Sequence, residues 1–331
     1  MSRSRFIFYV TSAAAIVLVF WRIEELRGIG NIFLNSNLYY LPIIIVIQFV
    51  SYWTLALNYK EILMIKGLKL ATRELFPITY VVQFISQALP TAGLSGQIFF
   101  IAYLKKFGLG LAEGIGRVIL ELATLYIAYA AYFITASILI FNTGITRSEP
   151  RIIYFIFAFL VFLLLCGMIF ILSQGRREKS WARKILVRLL GDNAQYLTIV
   201  IDQFKSTLNF GFLQANAWRF GLGILWQMAT LFTHVLTLFA VSHAIGSPMP
   251  FVACFVAFTF SKFLSMVSVI PGAPGIFETA MTLILVAFGI PAAPALTATI
   301  LTRAFTFWLP MPIGWMLYHH YTKKWASAEM E

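Results

Sequence analysis

The chain has 331 residues, of which 60% are hydrophobic, 16% aromatic and only 11% charged, with a mean hydropathy of +0.84. A soluble globular chain carries about 25% charged residues, so too few charges remain here to clothe a water-facing surface. The formal net charge of +12 does not call for nucleic acid either, because the basic residues crowd into a few loops between apolar runs. That is the positive-inside pattern of a polytopic membrane protein.

A helical crossing needs about 20 mostly apolar residues. The first such run, 6–22, lies in MSRSRFIFYVTSAAAIVLVFWRIEELRG. Its basic start is like that of a signal peptide, but bulky Phe20-Trp21-Arg22 stands where small residues would permit cleavage, so an uncleaved span is expected. A second span is predicted over 38–58. Segment 75–106, LFPITYVVQFISQALPTAGLSGQIFFIAYLKK, then reads as two apolar arms joined by a Pro/Gly turn. At about 1.5 Å per residue its second arm covers only about half of the hydrocarbon core. Non-helical backbone survives at that depth only where protein or a wet cavity satisfies its amides. The segment is therefore predicted to be a re-entrant helical hairpin, with two tilted, kinked spans as the alternative.

Spans follow over 112–141 and 151–173. Next comes the basic stretch QGRREKSWARKILVRLL, where Arg176, Arg177, Lys179, Arg183, Lys184 and Arg188 face Glu178 alone. It marks topology, and contact with anionic lipid is compatible with it. A span over 214–245, a second hairpin over 250–289 and a last span over 291–318 complete the chain. Cys166 and Cys254 both fall in apolar runs and predict buried thiols, not a disulfide framework.

Charge sets the expected orientation. Arg3 and Arg5, the group Lys60, Lys66, Lys69 and Arg73, the loop 174–190 and the tail HHYTKKWASAEME all fall in the cytoplasm if the chain crosses six times. Both termini are then inside, in a plasma or inner membrane. Sliding the sequence by 181 residues matches Pro90 with Pro271, Ala92 with Ala273, Gln97 with Glu278, Phe107-Gly108 with Phe288-Gly289 and Ala112 with Ala293. Such an offset reads as an internal repeat. Three crossings separate the hairpins, so one enters from each side, as in the inverted repeats of transporters. The expected fold is thus one all-α integral membrane domain, 1–331, with six spans and two re-entrant hairpins. Repeat one is 38–141, a connecting span and basic amphipathic segment occupy 151–213, and repeat two is 214–318.

A charge at mid-membrane costs a few kcal/mol and is a functional candidate by default. Glu278 falls in the first turn after PGAPG, where the helix dipole offsets part of its cost. Free amides from Pro271 to Gly275 could instead hold a phosphate oxygen, and a plain helix cap with an internal cation partner is the bland reading. Lys262 lies in the first arm of the same hairpin with no evident snorkelling route. Arg303, inside the last span, could pair with Glu278 or fork around a lipid phosphate. Glu113, Arg117 and Glu121 recur every four residues and can pair along one helix face. Gln97 is the neutral counterpart of Glu278. His234 reads as a hydrogen-bonded core residue, and His319-His320 as an interfacial end. No metal spacing, nucleophile elbow or nucleotide loop occurs, so neither a cofactor nor catalysis is expected.

The stretch IPGAPGIFETAMTLILVAFGIPAAPALTATILTRAFTFWLPMPIG resembles the C-terminal signature of the lysylphosphatidylglycerol synthase transmembrane-region family, the flippase-like domain proteins. LPTAGLSGQIFFIAYLKKFGL is similar to its first signature. The resemblance implies a polytopic domain that handles lipids. In the bifunctional multiple peptide resistance factor such a domain moves aminoacylated phosphatidylglycerol across the bilayer, while a separate soluble domain performs the synthesis. Here the chain ends at Glu331, just after the last span, so no home for that synthesis is expected. Carried over by motif, the site residues are Pro271, Gly272, Gly275, Glu278 and Arg303. The first half departs from the pattern, with Leu122 at the position matching Arg303 and Arg117 one turn earlier.

The leading expectation is a lipid flippase-like transporter binding an anionic head group, a phospholipid or a lipid-linked glycan, through Lys262, Arg303, Glu278, Arg117, Glu121 and Gln97. An intramembrane transferase with Glu278 as general base ranks below it. A subunit that presents lipid to a separate enzyme is the third reading, and homo-oligomerisation stays open.

Overall fold

The structure is a computed structural model, described over residues 36–65, 67–89, 94–143, 203, 206, 210–267 and 275–328. The spans expected at 6–22 and 151–173, the basic loop 174–190, Cys166, Pro271 and Gly272 lie outside the described residues. Within them every regular element is helical and no strand occurs. In chain order these are α1 Tyr40–Ile65, α2 Thr72–Ala88, α3 Leu94–Lys105, α4 Leu111–Thr143, α5 Phe210–Ala215 and α6 Ala217–Ala244. Next come α7 Phe251–Val267, α8 Ile276–Ala287, α9 Ala292–Arg303, a π-helical turn Ala304–Trp308 and α10 Pro310–Ala328. The helices α1, α4 and α6 are long and apolar enough to cross a membrane, while α7 and α8 are shorter apolar helices.

Two boundaries differ from expectation. Helix α1 runs on to Ile65, so Lys60 lies inside it and not beyond it. The last span, expected unbroken over 291–318, is interrupted and extends to Ala328. Pro310 explains the interruption. Its ring has no N–H and crowds the carbonyl four residues back, so the ladder takes one wider turn, closed by the Leu309 N–H donating to the Ala304 carbonyl at 2.8 Å.

Helices of matching length follow in the same order in the two halves. Each has a long helix, then a 17-residue helix (α2, α7), a break, and a 12-residue helix (α3, α8). A Phe-Gly turn follows in each, and then the long α4 in the first half and the interrupted α9–α10 in the second. Gly108 and Gly289 end these turns at φ 78° and 83°, a left-handed conformation that a side chain would strain. The shorter arms, at about 1.5 Å per residue, reach about 18 Å against a hydrocarbon core of about 30 Å.

Helices α1 and α6 hold corresponding places in the two halves, and they pack antiparallel. Gln48 Nε2 donates to Thr237 Oγ1 at 2.7 Å, the Thr54 and Thr230 hydroxyls meet at 2.8 Å, and Asn58 Nδ2 donates to the Gly223 carbonyl at 2.9 Å. Numbers rise on one helix as they fall on the other. A Cβ on Gly223 would lie 3.2 Å from the Thr124 methyl and 3.4 Å from Asn58 Nδ2, so the missing side chain sets the close approach.

Each hairpin leans on the other half. Phe133 of α4 packs against Phe260 and Phe263 of α7, with ring centroids 5.0 and 5.3 Å apart. At the matching place Gly314 of α10 sits on α2, where an added Cβ would come within 2.6 Å of the Tyr80 carbonyl oxygen. Within the first hairpin, Gly96 lets α3 touch α2, because a Cβ there would overlap the Ser86 side chain and the Val82 carbonyl.

Candidate functional site

Polar groups gather in two places, one per half. The second-half cluster is built on the start of α8. Gly275 takes φ 85° and turns the chain into the helix, and its N–H donates to Glu278 Oε2 at 2.7 Å. Glu278 Oε1 accepts from Arg303 Nε at 2.7 Å. The capping and ion-pair readings of Glu278 therefore hold together, one oxygen serving each. The Arg303 guanidinium lies between two rings, 4.7 Å from the Phe277 centroid and 4.3 Å from that of Phe307. Both rings present their negative faces to the cation. Phe307 comes from the π-helical turn.

Lys262, on α7, lies near Arg303 and His234. The His234 ring stacks on Phe258 at 5.5 Å, and Phe258 meets Phe277 edge-on at 6.3 Å. A file of rings thus links α6, α7 and α8. The expectation of a hydrogen-bonded His234 is corrected at Nδ1, which is buried without a partner among the described residues. The hydroxyls of Thr259 and Thr302 and Gln48 Oε1 are likewise buried without one. Buried polar atoms are almost always paired, and these four exceptions lie on α1, α6, α7 and α9. Among the described residues Glu278 is the only carboxylate paired in this cluster, and Arg303 engages it. Among the described residues the cluster thus sets two basic side chains, Lys262 and Arg303, against one carboxylate.

The first-half cluster centres on Glu121 of α4, which is 3% exposed. Gln97 Nε2 from α3 donates to its Oε2 at 3.1 Å, and Gln227 Nε2 from α6 donates to its Oε1 at 3.3 Å. Gln227 Nε2 also reaches Asn58 Oδ1 at 3.3 Å, and Asn58 Nδ2 donates to Thr124 Oγ1 at 3.1 Å. The offset of 181 pairs Gln97 with Glu278 and sets Glu121 beside the position of Arg303. In both halves, then, a polar residue on the short arm grips the next helix.

The stripe expected of Glu113, Arg117 and Glu121 is corrected. Glu113 Oε2 accepts the Gly110 N–H at 3.3 Å, Arg117 Nη1 donates to the Glu113 carbonyl at 3.3 Å, and Glu121 turns to its two amides. Capping and tertiary partners outcompete the helix-face pairing. Arg117 is buried with Nε lacking a partner among the described residues, and it does not take the place of Arg303. Of the expected site residues, Gly275, Glu278, Arg303 and Lys262 come together, Gln97 and Glu121 form the other group, and Arg117 stands apart. Asn58, Gln227 and the Phe277/Phe307 pair were not anticipated. The two amides had a signal in the sequence, as polar residues inside the apolar stretches LALNYK and ILWQMAT. Among the described residues no group of three His, Cys, Asp or Glu could hold a metal.

Comparison with known proteins agrees with this architecture. The family model for the lysylphosphatidylglycerol synthase TM region matches residues 7–314. The UPF0104 membrane protein MJ1595 of Methanocaldococcus jannaschii is 21% identical over 300 residues, covering 88% of this chain and 87% of that protein. The UPF0104 membrane protein PH1989 of Pyrococcus horikoshii is 28% identical over 134 residues, 40% of this chain and 37% of that one. An all-helical, multi-pass membrane protein, the chain belongs to the lysylphosphatidylglycerol synthase TM region family.

Proposed function

We propose that the protein is a flippase-like lipid transporter that takes an anionic head group, a phospholipid or a lipid-linked glycan, at the second-half cluster. One observation carries the reading, the setting of two basic side chains, Lys262 and Arg303, against one carboxylate beside the helix start at Gly275. A helix N-terminus with its free amides attracts anions, and a guanidinium forks around phosphate oxygens. In this reading Glu278 orients Arg303, and acyl chains stay in the bilayer. The hydroxyls of Thr259 and Thr302, without a partner among the described residues, would supply donors to a head group.

The antiparallel packing of α1 on α6 supports an inverted repeat, and the matched arms of 17 and 12 residues support two re-entrant hairpins entering from opposite sides. Alternating access by rocking of such repeats is how the class moves its cargo. The cytoplasmic placement of both termini and the cell-membrane location follow from the positive-inside bias. A transferase with Glu278 as base is the weaker reading, since both its carboxylate oxygens already accept N–H groups.

The test reconstitutes the protein in liposomes containing a fluorescent anionic phospholipid and follows its loss from the outer leaflet. Lys262→Met and Arg303→Gln are expected to abolish movement while leaving thermal unfolding cooperative. Mass spectrometry of lipid retained by the purified protein should find anionic lipid in the unsubstituted chain and little in Lys262→Met. Full transport by both variants overturns the assignment.

A further inference from the structure

Glu121 is a buried charge outside the second-half cluster, and the proposed head-group site does not use it. Its carboxylate is 3% exposed and accepts only carboxamide N–H groups, from Gln97 and Gln227. Among the described residues it forms no ion pair. The groups around it are accounted for element by element. Helix α4 presents Arg117, whose Nη1 is turned to the Glu113 carbonyl, and the phenols of Tyr126 and Tyr129. Helix α1 presents Tyr59 and Asn58, and its Glu61 is tied to Arg219 of α6 at 3.2 Å. Helix α3 presents Gln97, and α6 presents Gln227 with His234 two turns further on. Among the described residues no cation pairs with the carboxylate.

An isolated ionised carboxylate in a low-dielectric interior is costly, and a proton removes that cost. A site meant to hold a proton reversibly must satisfy the carboxyl in both states. Ionised, it needs donors, and two are present. Protonated, it becomes a donor through its own O–H and needs an acceptor. Gln97 supplies one, because its Oε1 is buried with no partner among the described residues. A half turn of that carboxamide puts Oε1 where Nε2 now sits. Gln227 keeps its contact throughout, and its second link to Asn58 holds it in place. The position also fits a coupling role, since Gln97 lies on the short arm that corresponds to α8 with its Glu278. A change in hydrogen bonding at Gln97 acts on the first hairpin at the place where Glu278 fixes the second.

We infer that Glu121 is a proton-binding site at the junction of α1, α3, α4 and α6, and that its loading and emptying accompany the lipid cycle. The coupling half of this inference rests on the transport reading, and the site itself does not. Infrared difference spectroscopy of the detergent-purified protein, titrated in steps of pH at constant Na+, is expected to show one buried carboxylic acid band rising on acidification. That band is absent from Glu121→Gln. Gln97→Leu keeps the carboxyl but removes its switchable partner, so the band shifts in frequency and its titration midpoint moves by about a pH unit. In liposomes an imposed pH gradient should speed lipid movement several-fold in the unsubstituted protein and not in Glu121→Gln.

A band that persists in Glu121→Gln, or one that answers to Na+ and not to pH, overturns the site. Should Glu121→Gln fail to fold, Gln97→Leu decides, and an unmoved band overturns the site. A titrating Glu121 in a protein that moves no lipid under any gradient leaves the site standing and removes both the coupling and the transport reading.

Discussion

Removing the Arg303 side chain is the most informative single perturbation. Arg303→Leu takes away the 2.7 Å bond to Glu278 and two ring contacts at 4.7 and 4.3 Å. Each ring contact is worth about 0.5–1 kcal/mol in a partly exposed setting. Breaking a fully buried pair by deleting one partner costs about 3–5 kcal/mol. Here the side chains keep 11% and 24% of their exposure and Glu278 retains its bond from Gly275, so a loss of about 2–4 kcal/mol is expected after discounting for solvent. Glu278→Gln removes the charge but leaves an oxygen to cap Gly275, for about 1–2 kcal/mol. The double variant should recover part of the sum, with a coupling energy of about 1–2 kcal/mol, in keeping with polar pairs in membrane interiors. Denaturant unfolding in mixed micelles, followed by tryptophan fluorescence, measures all four corners of the cycle. Coupling below about 0.5 kcal/mol would mean that the pair does not form in the membrane, and the orienting role of Glu278 would go with it.

Other outcomes are equally specific. Gly96→Val should destabilise by about 1–3 kcal/mol and separate α3 from α2, read as a lowered unfolding midpoint, because its side chain has only the Val82 carbonyl and Ser86 to enter. Arg219→Ala should cost under about 1 kcal/mol by the same assay, since the Arg219 side chain is 38% exposed and its bridge to Glu61 is screened. With Cys166 and Cys254 replaced, single cysteines at Lys106 and at Pro291 should react with a membrane-impermeant maleimide from opposite sides of sealed vesicles. Labelling of both from one side would sink the inverted arrangement. Arg303→Lys should keep the charge yet lose most lipid movement, because an ammonium can neither fork around a phosphate nor stack between Phe277 and Phe307.

The breaks in this chain were legible because they are local. Pro90 and Pro271 recur at one offset, and Phe107-Gly108 and Phe288-Gly289 turn through left-handed glycines that no other residue fills cheaply. Glu278 with Arg303 was legible for a related reason, since two lone charges of opposite sign in apolar helices seek each other. Helix ends were less so. Lys60 and Glu61 look like a boundary, but a helix passes through them because Glu61 finds Arg219 and Tyr59 packs on Phe100 at 4.6 Å. The partners of Glu121 were not legible at all from spacing. Arg117, four residues away, was the local choice, whereas Gln97 and Gln227 lie 24 and 106 residues off and arrive only through tertiary packing.

The packing of each hairpin on the opposite half, Phe133 against α7 and Gly314 against α2, has a mechanical consequence. If the proposed transport cycle rocks packed elements as units, those units are not the two sequence halves. α2 packs on α10 and α7 packs on α4, so the chain is laced like two hands with crossed thumbs. Tethers inside such a unit, from Phe84 to Tyr318 for example, would leave motion free. A tether between the units would freeze it.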